Sequence, residues 1–192
     1  MARPSAKRSA ATRARVPLVL DFDGTLQRDD LSRLALGWLS RRHPLRAWLV
    51  LGLALLRGRP AAKLALEEAA FRYEYRPILR WNHALIAAAK ATRQPIVVAT
   101  GSPERWVATL LAEAGLNWPV LGTTTASGNF IGPVKARALI ARYGHGGFDY
   151  AGNSRADLAV WAACRRAWVV NARGRLLKRA AQTATIAKVL PA

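Results

Sequence analysis

Asp21-Phe22-Asp23-Gly24-Thr25-Leu26 stands directly behind the apolar run Val16-Pro17-Leu18-Val19-Leu20. A short run rich in branched aliphatic residues predicts a buried strand. Side chains alternate with period two on an extended backbone, so Asp21 and Asp23 project to the same side. Gly24 lets the chain turn sharply behind them. Carboxylates paired at the C-terminal end of a strand lie where open α/β sheets bind ligands. Asp-Gly is also a common turn dipeptide, so a strand that ends in a plain acidic turn is the alternative reading of these residues alone.

Charge sharpens the choice. The chain carries 30 Lys plus Arg against 11 Asp plus Glu, a formal net charge of +19. Clustered carboxylates in so basic a chain need a counter-charge, and a bound cation supplies one. The basicity itself points to anionic partners: phosphorylated substrates, acidic lipid surfaces or nucleic acid. It is spread along the whole chain and no recognised nucleic-acid motif accompanies it, which sets nucleic acid behind the other two. At 192 residues the chain can bury one core with a small inserted subdomain. Apolar content of 52% and seven tryptophans exclude disorder for most of the length. Cys164 is the one cysteine, so an intramolecular disulfide is excluded and a reducing cytosol is favoured. Its setting, Trp161-Ala162-Ala163-Cys164, reads as a helix packing face, with the thiol a buried spectator.

Residues 1–16 read as a basic flexible tail, with Arg3, Lys7, Arg8, Arg13 and Arg15 and no acid. The composition resembles an organellar transit peptide and equally fits a solvated tail, the reading preferred here. No stretch reaches the roughly 18 apolar residues that a membrane span needs. Residues 47–56 come nearest, at ten. A cytoplasmic protein, in peripheral contact with the inner membrane surface, is the expected setting.

Strands are predicted at residues 18–21, 96–100, 120–123, 150–152 and 167–171, with helices at 104–114, 134–143 and 156–166 between the later ones. That alternation indicates βαβ units and a parallel sheet. Residues 27–94 hold no convincing strand. Helices are predicted there at 30–42, 45–57, 60–71 and 77–92, with Pro44, Pro60 and Pro77 each suited to a first turn. The last is the core crossover helix. The others form a helical cap at 27–76, inserted into an α/β core of 17–26 plus 77–192, over the carboxylates.

Four pieces fall at or beyond strand ends: Asp21 and Asp23; Thr100-Gly101-Ser102; Lys135 after Gly132-Pro133; and Gly152-Asn153-Ser154-Arg155-Ala156-Asp157. Each has a plain reading as capping or surface chemistry. Together, in this order, they resemble the haloacid dehalogenase superfamily of phosphohydrolases over roughly residues 17–175. Asp-x-Asp-Gly-Thr-Leu matches the first motif, Thr100 the hydroxyl of the second, Lys135 the lysine of the third and Asp157 the last acid of the fourth. The resemblance implies a Rossmann-like sheet in the order 5-4-1-2-3. It makes Asp21 the nucleophile that forms an aspartyl-phosphate and Asp23 the acid and base. Thr100 and Lys135 would hold the phosphoryl oxygens, with Gly24, Gly101 and Ser102 lining the substrate. Mg²⁺ would be held by Asp21, the Asp23 carbonyl, Asn153 and Asp157. Retention of Asp23 fits phosphatases rather than dehalogenases.

The fourth motif commonly opens Gly-Asp, and here it reads Gly152-Asn153. Asn153 supplies no charge, which leaves a degenerate, binding-only domain as the alternative to an enzyme. Between Leu31 and Leu66 stand seven basic residues and no acid, interleaved with Leu34, Trp38, Leu39, Leu45, Trp48, Leu49 and Leu53. A self-packed lid with solvated arginines is one reading, and docking on an anionic membrane is the other. Residues 148–171 look most like phosphatase-type domains joined to UbiA-type membrane prenyltransferases. That likeness implies a lipid-linked or sugar phosphate as substrate and a membrane prenyltransferase as partner.

Overall fold

The computed structural model describes residues 15–191; most of the expected basic tail lies outside them. β1 (Leu18–Leu20) is wholly buried, and its alternation divides the core. Leu18 and Leu20 enter one apolar cluster with Val98, Ala151, Trp168 and Val170, while Val19 enters another with Val97, Ala99, Tyr150 and Val169. A continuous apolar strand with both faces covered is what a central parallel strand requires. The remaining strands are β2 (Ile96–Pro103), β3 (Val120–Thr123), β4 (Asp149–Gly152), β5 (Arg166–Val170) and β6 (Ile186–Leu190). They pair in the order β3-β2-β1-β4-β5-β6, all parallel. All C-terminal ends therefore share one edge.

The first cluster is covered by α1 (Leu31–Arg42), α2 (Pro44–Arg72), α3 (His83–Ala91) and α4 (Glu104–Glu113); the second by α5 (Gly132–Tyr143), α6 (Leu158–Trp161) and α7 (Gly174–Thr183). Asp30 caps α1 by accepting from Arg33 N at 2.9 Å. Among the described residues no helix is long and apolar enough to cross a membrane.

Several sequence expectations are corrected. The sheet has six strands, not five, because α7 and β6 follow β5. The helix expected at 156–166 is a 3₁₀ turn (Arg155–Asp157) followed by the single turn of α6. Ser154 and Asp157 close a capping box that starts the turn, and Arg166 already belongs to β5. The helices expected at 45–57 and 60–71 run together as α2, broken only at Gly58, whose φ of 80° and ψ of 174° are non-helical. The helix expected at 77–92 starts at His83, where the Asn82 side chain accepts from Leu85 N at 3.0 Å. Its first residues instead pair with the chain behind the Asp-x-Asp turn: Arg28 N donates to Arg80 O, and Asn82 N to Leu26 O, both at 2.9 Å. β2 runs on through Pro103, so Thr100-Gly101-Ser102 belongs to a strand, not to a helix cap.

Candidate active site

Asp21 prolongs β1, its N–H donating to Ala151 O at 2.9 Å. Period two puts it on the Val19 side of the sheet, the side covered by α5. The first turn of α5 delivers Lys135, whose Nζ donates to Asp21 Oδ1 at 2.6 Å and to Tyr150 Oη at 3.0 Å. Tyr150, on β4, donates in turn to Asp157 Oδ1 at 2.6 Å. Asp157 Oδ2 accepts from the N–H groups of Asn153 and Ser154 at 3.1 and 2.9 Å, and from Ser154 Oγ at 2.8 Å. A buried polar chain thus links Asp21, Lys135, Tyr150 and Asp157.

Lys135 is only 3% exposed, a depth at which an unpaired ammonium would be strongly destabilising. Burial alone would favour its neutral form, but the Asp21 and Asp157 carboxylates outweigh that and hold it charged beyond the usual lysine range. Burial pushes Asp21 up to about 7; the Lys135 charge opposes the rise and Asp157 adds to it. Tyr150 is raised well above an ordinary phenol, first by burial and then by the same two carboxylates, so it stays a donor.

Asp23 does not project to the same side as Asp21, contrary to the alternation of an extended chain. β1 ends at Leu20, and the turn behind it carries Asp23 toward α1 and β2. Its Oδ1 accepts from Leu31 N at 2.8 Å and Gln27 Nε2 at 3.2 Å, which ties it to the start of α1. Its Oδ2 accepts from Ser102 Oγ at 2.6 Å and, more weakly, from Thr100 Oγ1 at 3.5 Å. Burial raises the Asp23 carboxyl, and Ser102 and Leu31 partly offset it. The two aspartates therefore work in different surroundings, one beside an ammonium and one among neutral donors.

Gly24 adopts φ +71°, and a Cβ there would lie 2.0 Å from Asn153 Nδ2. The Asn153 amide is thus seated against the first turn because that turn lacks a side chain. Gly101 is similarly confined, since a Cβ would meet Ile131 Cγ2 at 2.4 Å. Asp21, the Asp23 carbonyl, Asn153 and Asp157 offer oxygen donors alone, the chemistry of a hard cation such as Mg²⁺. Among the described residues no group of three His, Cys, Asp or Glu could hold a metal. Oxygen donors of this type suit Mg²⁺ rather than a nitrogen- or sulfur-liganded transition metal.

These side chains open into a cleft of about 930 Å³ beneath α1 and α2. Three contributors escaped the sequence reading: Lys63, Gln27 and Tyr150. Lys63, from α2, reaches across the cleft to Asn129 Oδ1 at 3.2 Å and to Gly101 O. Burial lowers its pKa, while the Asp23 and Asp30 charges oppose the drop. Arg28, Arg33 and Arg59 also line the cleft, beside Leu34, Leu36, Leu51 and Ala54. Cys164 stands apart, its thiol pushed up to about 12 by burial, in keeping with a spectator.

No family model matches the chain, and no curated protein matches it. Among solved structures the chain is similar to phosphoserine phosphatase in its apo form, at 12% identity over 92% of this chain and 93% of that one, with a TM-score of 0.57. It is similar to a phospho-aspartyl intermediate analogue of phosphoserine phosphatase at 10% identity, over 93% and 94%, with a TM-score of 0.52. A protein described as a predicted phosphatase from Clostridium acetobutylicum is 14% identical over 93% and 94%, with a TM-score of 0.58. At these identities the likeness is one of fold.

Proposed function

We propose that the chain is a haloacid dehalogenase-type phosphatase that hydrolyses a phosphomonoester through an aspartyl-phosphate, with Mg²⁺ as cofactor. One observation carries the reading. Asp21 on Lys135, Asp23 on Ser102 and Thr100, and Asp157 with Asn153 meet at the C-terminal edge of a single parallel sheet. The shared fold with phosphoserine phosphatase, one structure of which is a phospho-aspartyl intermediate analogue, supports the same chemistry here.

In this reading the Asp21 oxygen not held by Lys135 attacks phosphorus as the bond to the leaving oxygen breaks. Asp23, raised by burial and so able to carry a proton, gives it to the leaving oxygen. It then takes a proton from the water that attacks the aspartyl-phosphate, which frees phosphate and restores Asp21. Lys135 offsets the Asp21 charge and donates to a phosphoryl oxygen. Thr100, whose Oγ1 accepts from Ser102 N at 2.9 Å and donates to Asp23 only at 3.5 Å, turns its hydroxyl proton to a second oxygen. Ser102 keeps Asp23 in place. Asp21, the Asp23 carbonyl, Asn153 and Asp157 would hold Mg²⁺, which would supply neutralising charge to the phosphoryl group. Arginines beside leucines in the cleft favour a phosphorylated small molecule with an apolar portion, a lipid-linked phosphate being the extreme case.

A binding-only domain is the second reading. It is favoured by the neutral Asn153 and by Asp157, both of whose oxygens are already engaged. Hydrolysis of an aryl phosphate by the purified full chain separates the two. Turnover is expected with Mg²⁺, lost with EDTA, and reduced at least about 10³-fold in Asp21→Asn. Undiminished turnover in that variant would overturn the nucleophile, and silence of the parent across a broad phosphate panel would favour binding alone.

A further inference from the structure

The first half of α2 carries two apolar faces. Ala47 and Val50 are buried against the core. Leu45, Trp48, Leu49, Leu55 and Leu56 point the other way and are 65–88% exposed. With Gly52 between them they recur at intervals of three and four, the spacing of one helix face. A contiguous apolar stripe in water marks an interaction surface, unlike scattered single leucines. Basic residues bracket it: Arg41, Arg42 and Arg46 on one side and Arg57 and Arg59 on the other, all exposed. No Asp or Glu occurs between Leu31 and Leu66.

That bracketing selects the occupant. A second copy packed face to face would bring arginines against arginines with no acid in the stretch to pair them. A neutral apolar groove would cover the leucines and leave the guanidinium groups without counter-charge. An anionic lipid surface supplies both halves, acyl chains for Leu and Trp and headgroups for Arg. Helices with this division lie in the plane of the interface.

We propose that residues 45–56 of α2 dock the protein on an anionic membrane surface, with the helix lying in the interface and Trp48 at headgroup level. Leu51 and Arg59, neighbours of the stripe in the chain, also line the cleft, so docking puts the cleft mouth beside lipid. The inference rests on the α2 surface and stands or falls separately from the phosphatase reading.

Vesicle co-sedimentation of the full chain tests it, with phosphatidylcholine vesicles against vesicles one-third phosphatidylglycerol. Binding is expected to the anionic vesicles, and to weaken at least about tenfold on neutral vesicles or in about 1 M salt, where the Debye length shrinks to about 3 Å. Leu55→Asp with Leu56→Asp alters two of the most exposed leucines and leaves the buried face intact. It should weaken binding at least about tenfold with an unchanged thermal melt. Equal binding to both vesicle types, or to neither, overturns the proposal. Parent-like binding by the double variant would assign attachment to basic segments and remove the stripe's role. Absence of vesicle binding together with a dimer that the double variant dissolves, in sedimentation equilibrium, would give the face to a second copy.

Discussion

Asn153 would supply a carbonyl oxygen and no charge to the proposed cation, and its amide rests against the side-chain-free turn at Gly24. Replacing it by Asp adds a full charge with almost no change in shape. Asn153→Asp is expected to raise Mg²⁺ affinity about tenfold, equivalent to ~1.4 kcal/mol, measured by calorimetric titration of the metal-free full chain, and turnover should rise with it. Unchanged affinity would mean that the amide does not face the ion. Asp21, Asp23, Lys135 and Asp157 are legible in the sequence because each lies in a short local pattern, although Asp21 and Lys135 meet across 114 positions. Tyr150 is not, because an aromatic residue in a strand reads as core. Its phenol becomes part of the site only once β4 lies beside β1. Lys63 carries no local signal either, since its partners are 38 and 66 positions away. Ser102, read as a substrate contact, lines the cleft and also holds Asp23.

Helix and strand ends follow tertiary contacts more than propensity, and the far end of the sheet shows how. Asp149 opens β4 with no exposed surface. It accepts from Arg165 Nε and Nη2 at 2.8 and 2.7 Å, from Arg166 Nη2 at 3.0 Å and from Gln94 Nε2 at 3.0 Å. These bonds draw residues 165 and 166 into line with β4, so a helix cannot run to 166 as the local sequence suggests. α7 and β6 escaped notice for a related reason: Arg175, Lys178 and Arg179 crowd a helix in which only Ala180 is buried. Burial would raise the Asp149 carboxyl, yet the Arg165, Arg166 and Gln94 bonds outweigh it and hold the group below the usual carboxylate range. A folded pKa lower than the unfolded one stabilises the fold above the unfolded value, about 3.9. That contribution fades as pH falls through the folded value. Arg165→Met with Arg166→Met is expected to cost about 1–3 kcal/mol at pH 7 in denaturant titrations. The gap from the parent should shrink as pH drops below about 4. A gap that stays constant with pH would assign the loss to the arginine stems and not to the ion pairs.

Taken whole, the chain divides in sequence into a core and a proposed cap at 27–76, and apolar residues of the two segments pack together. Leu39, Ala47, Leu66 and Ala70 from the helical segment share one apolar cluster with Leu18, Leu20, Val98 and Trp106 from the sheet and α4. Glu67 reinforces the seam, its Oε1 accepting from Trp106 N at 3.0 Å. Alternating strands and helices were enough to read the parallel sheet, because each unit is local. How firmly the insertion packs was not readable, because its apolar residues look alike whether they meet each other, the sheet or lipid. A cap packed this way cannot unfold alone without exposing apolar residues of the cluster that it shares with the sheet, α3 and α4. One cooperative thermal transition is therefore expected, with calorimetric and van't Hoff enthalpies in agreement. Leu39→Ala should destabilise that single transition by about 2–5 kcal/mol. Two transitions, with only the earlier one shifted by Leu39→Ala, would make the cap an independent unit. The distinction bears on the cleft, since Lys63 bridges α2 to Gly101 and Asn129 across it. With α2 anchored on the core side, substrate entry would depend on local release of that lysine rather than on the whole cap swinging away.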